Sequence, residues 1–445
     1  MKTPKLVLSV VSLVAIPPLS IMKNSANARI VLMCIYGLLM GATLLWSSTT
    51  ATAADLLFKP SVRVSEEVTD NIYEQSSAKR SEYITRLLPG ATFHYTSPIW
   101  TWDAAYTIEY RTYAKNSRKD ENNHNAAAKG NIALVENFLF LDLSDTYKRV
   151  TLDVSRNVET ESSIFLNQTD QNIASISPYL LWRLRGDNTL KTGYRFVDTR
   201  YWDSIGIDKQ EHRGFADLTH DLTSRFSLSA GYAFTRLESN PSQYNKHDLY
   251  GGFKYEYADK SFIFGQLGNS WQQFDGGVDV NYLFWDAGIT HDFRGTVAVL
   301  ETKVSTTEDP LVVSTKETSY SAKVDTTLQR GALGANVGYS EYVNTETGIM
   351  DHTRFGITAT GRYEVLQSLT ATLTAIGERF GRGVVTNTLT DRPYRFTGIA
   401  GISYALKNEL TVGVTYTYVN NLLDLDRTAG SYQINKAVID LKKIF

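Results

Sequence analysis

The stretch Leu410-Thr411-Val412-Gly413-Val414-Thr415-Tyr416-Thr417-Tyr418 decides the fold. Leu410, Val412, Val414, Tyr416 and Tyr418 fall on one face, and Thr411, Gly413, Thr415 and Thr417 on the other. A period of two belongs to a β-strand whose faces meet different surroundings. The same alternation recurs outward from here. Phe226, Leu228, Ala230, Tyr232 and Phe234 oppose Ser227, Ser229, Gly231, Ala233 and Thr235. Trp102, Ala104, Tyr106, Ile108 and Tyr110 oppose Asp103, Ala105, Thr107, Glu109 and Arg111. Leu249, Gly251, Phe253, Tyr255 and Tyr257 alternate with Tyr250, Gly252, Lys254 and Glu256.

A soluble β-sandwich alternates too. Three features point instead to a transmembrane barrel. The apolar face often ends in Tyr or Phe, as an aromatic girdle requires. The other face carries Gly, Ser, Thr and opposed charges, which suits a wet lumen. Strands follow one another every ~20 residues from Leu56 to the last residue, leaving no sequence for a second layer; a polar-lined sheet in lipid must then close on itself. Composition agrees: 26 Tyr, 19 Phe and 7 Trp but only 10 Pro, the chemistry of strands and of membrane interfaces.

The chain opens with two apolar stretches, Leu6 to Ile21 and Ile30 to Trp46. The second follows Met22-Lys23 and Arg29 and runs into Thr50-Ala51-Thr52-Ala53-Ala54. A basic start, an apolar centre and a small-residue end make a secretory signal peptide. Residues 1–54 read as a leader cleaved after Ala53 or Ala54, with Met22 as the functional start; residues 55–445 read as the barrel. The single cysteine, Cys34, falls inside the leader, so the mature chain has no thiol for a disulfide or a metal site. Beyond Ala54 stand 41 basic and 47 acidic residues, a formal −6, which argues against nucleic acid as a partner.

The alternation predicts a closed antiparallel barrel of about twenty strands, with 18 as the alternative. They are expected near 56–67, 81–96, 100–114, 124–136, 138–155, 173–186, 188–201, 209–222, 225–238, 244–258, 260–273, 278–292, 295–307, 315–328, 331–344, 350–364, 367–381, 391–405, 408–421 and 431–445. An even count puts both termini on the periplasmic side of a Gram-negative outer membrane. Tight links such as Ser97-Pro98, Glu136-Asn137, Asp259-Lys260 and Lys407-Asn408 alternate with longer polar ones such as Asp70 to Lys79, Val158 to Asp170 and Thr307 to Val313. Asp275-Gly276-Gly277 is a tight turn on the outer side. No link is long enough for a plug domain, and no accessory domain is expected. The last strand closes on Ile439, Leu441 and Phe445, with Lys443 interrupting. A terminal Phe of this kind resembles the signal read by the barrel-assembly machinery. The expected partners are therefore outer-membrane lipid and that machinery.

No catalytic or metal pattern emerges, and no cofactor is implied. The seven histidines (His94, His124, His212, His220, His247, His291, His352) are scattered, without an H-E-x-x-H pair. In a channel, the working residues are the inward charges. Alternation turns Arg86, Asp103, Glu109, Arg111, Arg183, Arg185, Lys191, Arg195, Lys254 and Glu256 inward, together with Tyr179 and Tyr250. A charge facing lipid would cost roughly 2–4 kcal/mol at the midplane. The same charges could equally brace the wall as a salt-bridge network.

One resemblance adds to this. Val64-Ser65-Glu66-Glu67-Val68-Thr69-Asp70-Asn71, then Leu88-Pro89-Gly90, then Asn131-Ile132-Ala133-Leu134-Val135-Glu136-Asn137 and Phe140-Leu141-Asp142 resemble outer-membrane proteins associated with PEP-CTERM/exosortase systems. Those barrels sit near exopolysaccharide loci. The resemblance implies export of surface polysaccharide, with polysaccharide or a periplasmic export component as partner; it carries over no site residues and stops at Asp142. Three functions follow: a transport barrel (a porin or an exopolysaccharide exit), an interaction barrel with a closed lumen, and a hydrolase sited at the rim. Sugar faces stack on aromatic rings, so a sugar polymer would favour inward Tyr179 and Tyr250.

Overall fold

The computed structural model describes residues 54–152, 168–184, 187–382, 394–422 and 431–445. The leader up to Ala53, the cleavage position after it and Arg185 lie outside the described residues. Ala54–Phe445 forms one unit.

Twenty strands make up this unit: β1 (Asp55–Thr69), β2 (Glu82–Thr96), β3 (Trp100–Tyr113), β4 (Glu121–Val135), β5 (Leu139–Thr151), β6 (Gln168–Arg183), β7 (Asn188–Tyr201), β8 (Lys209–Thr223), β9 (Phe226–Ser239), β10 (Tyr244–Ala258), β11 (Ser261–Phe274), β12 (Asp279–Asp292), β13 (Thr296–Thr307), β14 (Thr315–Leu328), β15 (Gly331–Asn344), β16 (Met350–Leu366), β17 (Leu369–Arg382), β18 (Tyr394–Ala405), β19 (Leu410–Leu422) and β20 (Tyr432–Ile444). Each pairs antiparallel with its neighbours in sequence, and β1 pairs with β20 from Ser61↔Ile444 to Thr69↔Lys436. The sheet is closed and has no edge, so no backbone polar group of the wall is left to face lipid. The Phe445 amide continues this seam, donating to the Pro60 carbonyl at 2.9 Å.

The register fixes the shape. Following the paired residues once round the wall returns to β1 about 26 residues out of step, which tilts the strands by roughly 40° and gives a backbone cylinder roughly 40 Å across.

The register also sorts the faces. One face carries the large exposed apolar side chains, among them Leu218, Leu249, Leu283, Leu300, Ile357, Leu373 (62% exposed) and Ile439 (60%). A band of this size belongs in hydrocarbon. Aromatic rings border it on both sides. Tyr95–Trp100, Phe226–Tyr255 and Tyr257–His291 contacts lie by the short links, and Tyr106–His124, Tyr194–His212 and Tyr232–His247 contacts lie toward the long ones. In each of these Tyr–His contacts the phenol lies within hydrogen-bond distance of the imidazole Nδ1, at 2.6 to 2.9 Å. That pairing lets an amphipathic ring and an imidazole sit together at the interface.

Links on the side of the termini are two to four residues long; those on the other side run from four to sixteen. The short turns use left-handed residues, at Asn137, Lys260, Arg294, Asn408 and Glu409. Asp275-Gly276-Gly277 turns on the long-link side, with φ +87° at Gly277. The main departure from the sequence reading is β6, which begins at Gln168 rather than near residue 173. Its polar start Gln168-Thr169-Asp170-Gln171-Asn172 pairs in register with Thr151 to Tyr147 of β5. The apolar pattern sees only the lipid-facing part of a strand, whereas the ladder continues above it.

Candidate transport lumen

Lys209 lies at the start of β8, and Glu308 and Asp309 lie in the link after β13. The Lys209 ammonium nevertheless pairs with Glu308 at 2.7 Å and donates to the Asp309 carbonyl at 2.6 Å. Strands this far apart on the wall meet only across the inside of the cylinder. The face carrying Lys209 is therefore the inner one, and the register carries that assignment round all twenty strands.

The β13–β14 link, residues 308–314, folds inward at the extracellular mouth. The Ile207 amide donates to the Pro310 carbonyl (2.8 Å), the Tyr201 hydroxyl donates to Glu308 (2.8 Å), and Gln272 donates to the Ser314 hydroxyl (3.1 Å). Val313 closes over Leu237, Tyr244 and Phe274, with Ile207 and Val280 packed around them. Four buried apolar side chains and a buried ammonium hold the link down. Burial pushes the Asp309 carboxyl above the ordinary aspartate range, against the opposing pull of the Leu311 amide, Lys209 and the Thr315 hydroxyl.

The inner face at the extracellular strand ends is a belt of charge. Arg86 donates to Glu67 and lies 3.6 Å from Glu109, while Arg111 holds Glu109 through two bonds of 2.8 and 2.9 Å. On the far side, Glu378 is fully buried and takes Arg354 at 2.8 Å and Arg395 at 3.5 Å. Glu82, also buried, accepts the amides of Lys115 (2.8 Å) and Ser117 (3.2 Å), drawing the β3–β4 link over β2.

Below the belt the wall has two characters. On β5 to β12 it carries rings: Phe140 stacks on Tyr179 at 5.2 Å and 15°, Lys191 stands 3.9 Å over Tyr179, the Tyr250 hydroxyl donates to Asp217, and Lys254 stands 4.6 Å over Phe262. On β14 to β19 the inner positions are mostly small, among them Ser319, Ser321, Gly338, Thr358, Thr360, Thr374, Gly401 and Thr415, with the Lys323–Asp325 and Arg362–Glu364 pairs and Ile376 and Ile399 between them.

Eleven of the twelve residues singled out by alternation, all but Arg185, are distributed over this surface. Arg86, Glu109 and Arg111 come together in the belt. Tyr179 and Lys191 touch, and Arg195 sits opposite Arg213. Tyr250, Lys254 and Glu256 share one face of β10. Asp103 lies 2.6 Å from His94 near the periplasmic end, and Arg183 reaches Asn137 at the rim. Sequence reasoning missed Glu67, Glu82, Lys209, Glu308, Asp309, Glu378 and Arg395. One clue was present: Leu311-Val312-Val313 is too apolar a run for a link exposed to water. Among the described residues, no group of three or more His, Cys, Asp or Glu is placed to hold a metal ion.

No family model matches this chain, and no curated protein is similar to it. Its likeness is to solved structures. The FrpB iron transporter of Neisseria meningitidis superposes with a TM-score of 0.52 at 9% identity, covering 87% of this chain and 81% of that one. The ferric enterobactin receptor PfeA of Pseudomonas aeruginosa, in a mutant form, superposes with a TM-score of 0.50 at 8% identity, covering 87% and 80%. The fold is that of an outer-membrane β-barrel. At these identities the likeness extends to the fold alone. It also corrects the expected kinship. The solved barrels it superposes on include an iron transporter and a ferric enterobactin receptor, not the exosortase-associated exopolysaccharide barrels that residues 64–142 resemble. Those residues have local work that any such wall needs: Glu67 holds Arg86, Asn71 donates to the Gln75 and Gln433 carbonyls, and Asn131 holds Asp142.

Proposed function

We propose that this barrel is a passage for polar solutes across the outer membrane, narrowed at its extracellular mouth by residues 308–314. The inner face supports this reading most directly. Every strand carries polar or charged side chains on it, and roughly 40 Å of backbone diameter is more than side chains alone can fill. On this reading Asp103, Tyr179, Arg183, Lys191, Arg195, Tyr250, Lys254 and Glu256 line the pathway. Arg86, Glu109 and Arg111 both line and brace it, because their charges are consumed in mutual pairs. The leader ending at Ala53 or Ala54 exports the chain, and Phe445 marks it for barrel assembly. The polysaccharide-export role rested on the family resemblance and is set aside with it.

Planar-bilayer recording of the purified protein tests the passage. An open channel is expected, and Arg195→Glu should shift its selectivity toward cations, because a charge on the wall acts on ions within about a Debye length. Arg111→Glu should shift it less, since Glu109 already offsets Arg111. A folded barrel that passes no current would leave the closed-lumen alternative standing.

A further inference from the structure

We propose that the inner wall of β8 to β12 is a binding strip for a linear, neutral oligosaccharide, seating hexose rings on Phe215, Tyr250, Phe264 and Phe284. The inference rests on the passage reading above and names the solute class it suits.

Each of these four rings stands directly opposite a glycine on the next strand: Phe215 with Gly193, Tyr250 with Gly231, Phe264 with Gly288 and Phe284 with Gly268. A Cβ at residue 193 would come within 2.6 Å of Phe215 Cζ, and one at residue 288 within 2.9 Å of the Phe264 ring; Gly231 and Gly268 are approached more closely still. Each ring therefore occupies the space of its neighbour's missing side chain and lies across the wall instead of pointing at the axis. All four residues are half-buried, so each ring keeps part of its surface toward the lumen; Lys191 stands 5.8 Å over the Phe215 ring. Tyr250 and Phe284 meet edge-on at 6.2 Å.

An apolar face laid open in a water-filled passage suits a ligand with one apolar face and a polar rim. A hexose ring has that form: C–H bonds on a face and hydroxyls round the edge. The groups beside the rings can serve those hydroxyls. Asp217 adjoins Tyr250, and the Lys303–Asp286 pair (2.8 Å) and Lys254 adjoin Phe264. Lys191, Lys254 and Lys303 are matched by Asp217, Asp286 and Glu301, so the strip has no excess charge with which to select an ion, and a neutral ligand fits. The wall of β14 to β19 offers no ring at this level, so binding is one-sided. Phe215 and Phe264 stand three strands and six residues apart, with Tyr250 and Phe284 at one level between them, so the strip runs obliquely over roughly 25 Å, the length of four to five hexose units.

Calorimetric titration of the detergent-solubilised full chain with maltooligosaccharides of two, four and six units tests this. Affinity should rise about tenfold from two to four units and change little from four to six. A Tyr250→Leu, Phe284→Leu variant should bind about tenfold more weakly, and Tyr250→Phe, which keeps the ring, should bind as the wild type does. Phe215→Leu alone provides a second variant if the double one does not fold. Folded protein that takes up no maltooligosaccharide, or leucine variants that bind as tightly as the wild type, would overturn the strip. Conductance on the same preparations separates the two readings. A channel that conducts but binds no sugar overturns this inference alone, whereas a barrel that binds sugar but passes no current overturns the passage.

Discussion

The two halves of the lumen wall are built from the same strand geometry and different chemistry. From β5 to β12 the inner face carries Phe140, Tyr179, Phe215, Tyr250, Phe264 and Phe284, with a link folded over its extracellular end. From β14 to β19 it carries mostly Ser, Thr and Gly, with the ion pairs Lys323–Asp325 and Arg362–Glu364 and the aliphatic Ile376 and Ile399 among them, and its inward rings, Tyr342 and Phe380, are buried at the extracellular ends. Closure needs only register and hydrogen bonding, which both halves have. The difference therefore concerns what the wall meets: one half is dressed to contact a solute or a folded link, and the other to hold water.

The sharpest way to break the comparison is to lift the link. Lys209→Ala removes the ammonium that ties Glu308 and the Asp309 carbonyl to β8, and single-channel conductance should rise about twofold, given that a buried charged hydrogen bond is lost. Thr358→Val on the other half should leave conductance where it is. An unchanged current in Lys209→Ala would mean that the link does not narrow the mouth.

Next in size is the bracing of the plainer half. Glu378→Ala leaves Arg354 and Arg395 without their shared carboxylate and should cost about 3 kcal/mol of unfolding free energy, the scale for breaking a buried pair. Arg63→Ala, which removes a more exposed partner of Asp440 at 3.3 Å, should cost under about 1 kcal/mol. Denaturant unfolding in micelles measures both, and equal losses would show that the belt is not a bracing network.

The smallest effect is pH dependence. The Asp309 carboxyl is held above the ordinary aspartate range chiefly by burial, with Lys209, Thr315 and His352 near it. The docked link therefore binds this proton more readily than the undocked one. Its contribution to docking is fully present below the ordinary aspartate value and is lost as pH rises through the raised one. Wild-type conductance should accordingly rise with pH across the acid range relative to Asp309→Asn, in which that step is absent. The comparison between the two proteins cancels the titration of Glu308, which they share. Parallel profiles would remove Asp309 from the docking balance.

Much of the wall was legible in the sequence because a strand with lipid on one side and water on the other must alternate. Leu410 to Tyr418 shows this without ambiguity, and the short turns are marked by Asn137, Lys260 and Asn408. Alternation also puts Arg86, Lys191 and Tyr250 on the face that the proposed passage uses. It could not show which inner residues meet, because contacts such as Lys209–Glu308 and Glu67–Arg86 depend on register between strands and on a link crossing the interior. The glycines beneath the rings were hidden for the same reason: Gly231 matters to Tyr250 only once β9 and β10 are aligned. The family resemblance over residues 64–142 misled because Glu67, Asn71 and Asp142 serve general needs of a barrel wall.

The central claim is that the lumen is a water-filled passage. Swelling of liposomes that carry the purified barrel, in isotonic solutions of neutral sugars graded by size, tests it most directly. The account predicts rapid swelling in hexoses, slowing as the sugar approaches the width left by residues 308–314, and faster swelling in Lys209→Ala. Liposomes that hold folded barrel yet stay as tight to hexoses as protein-free vesicles would contradict it.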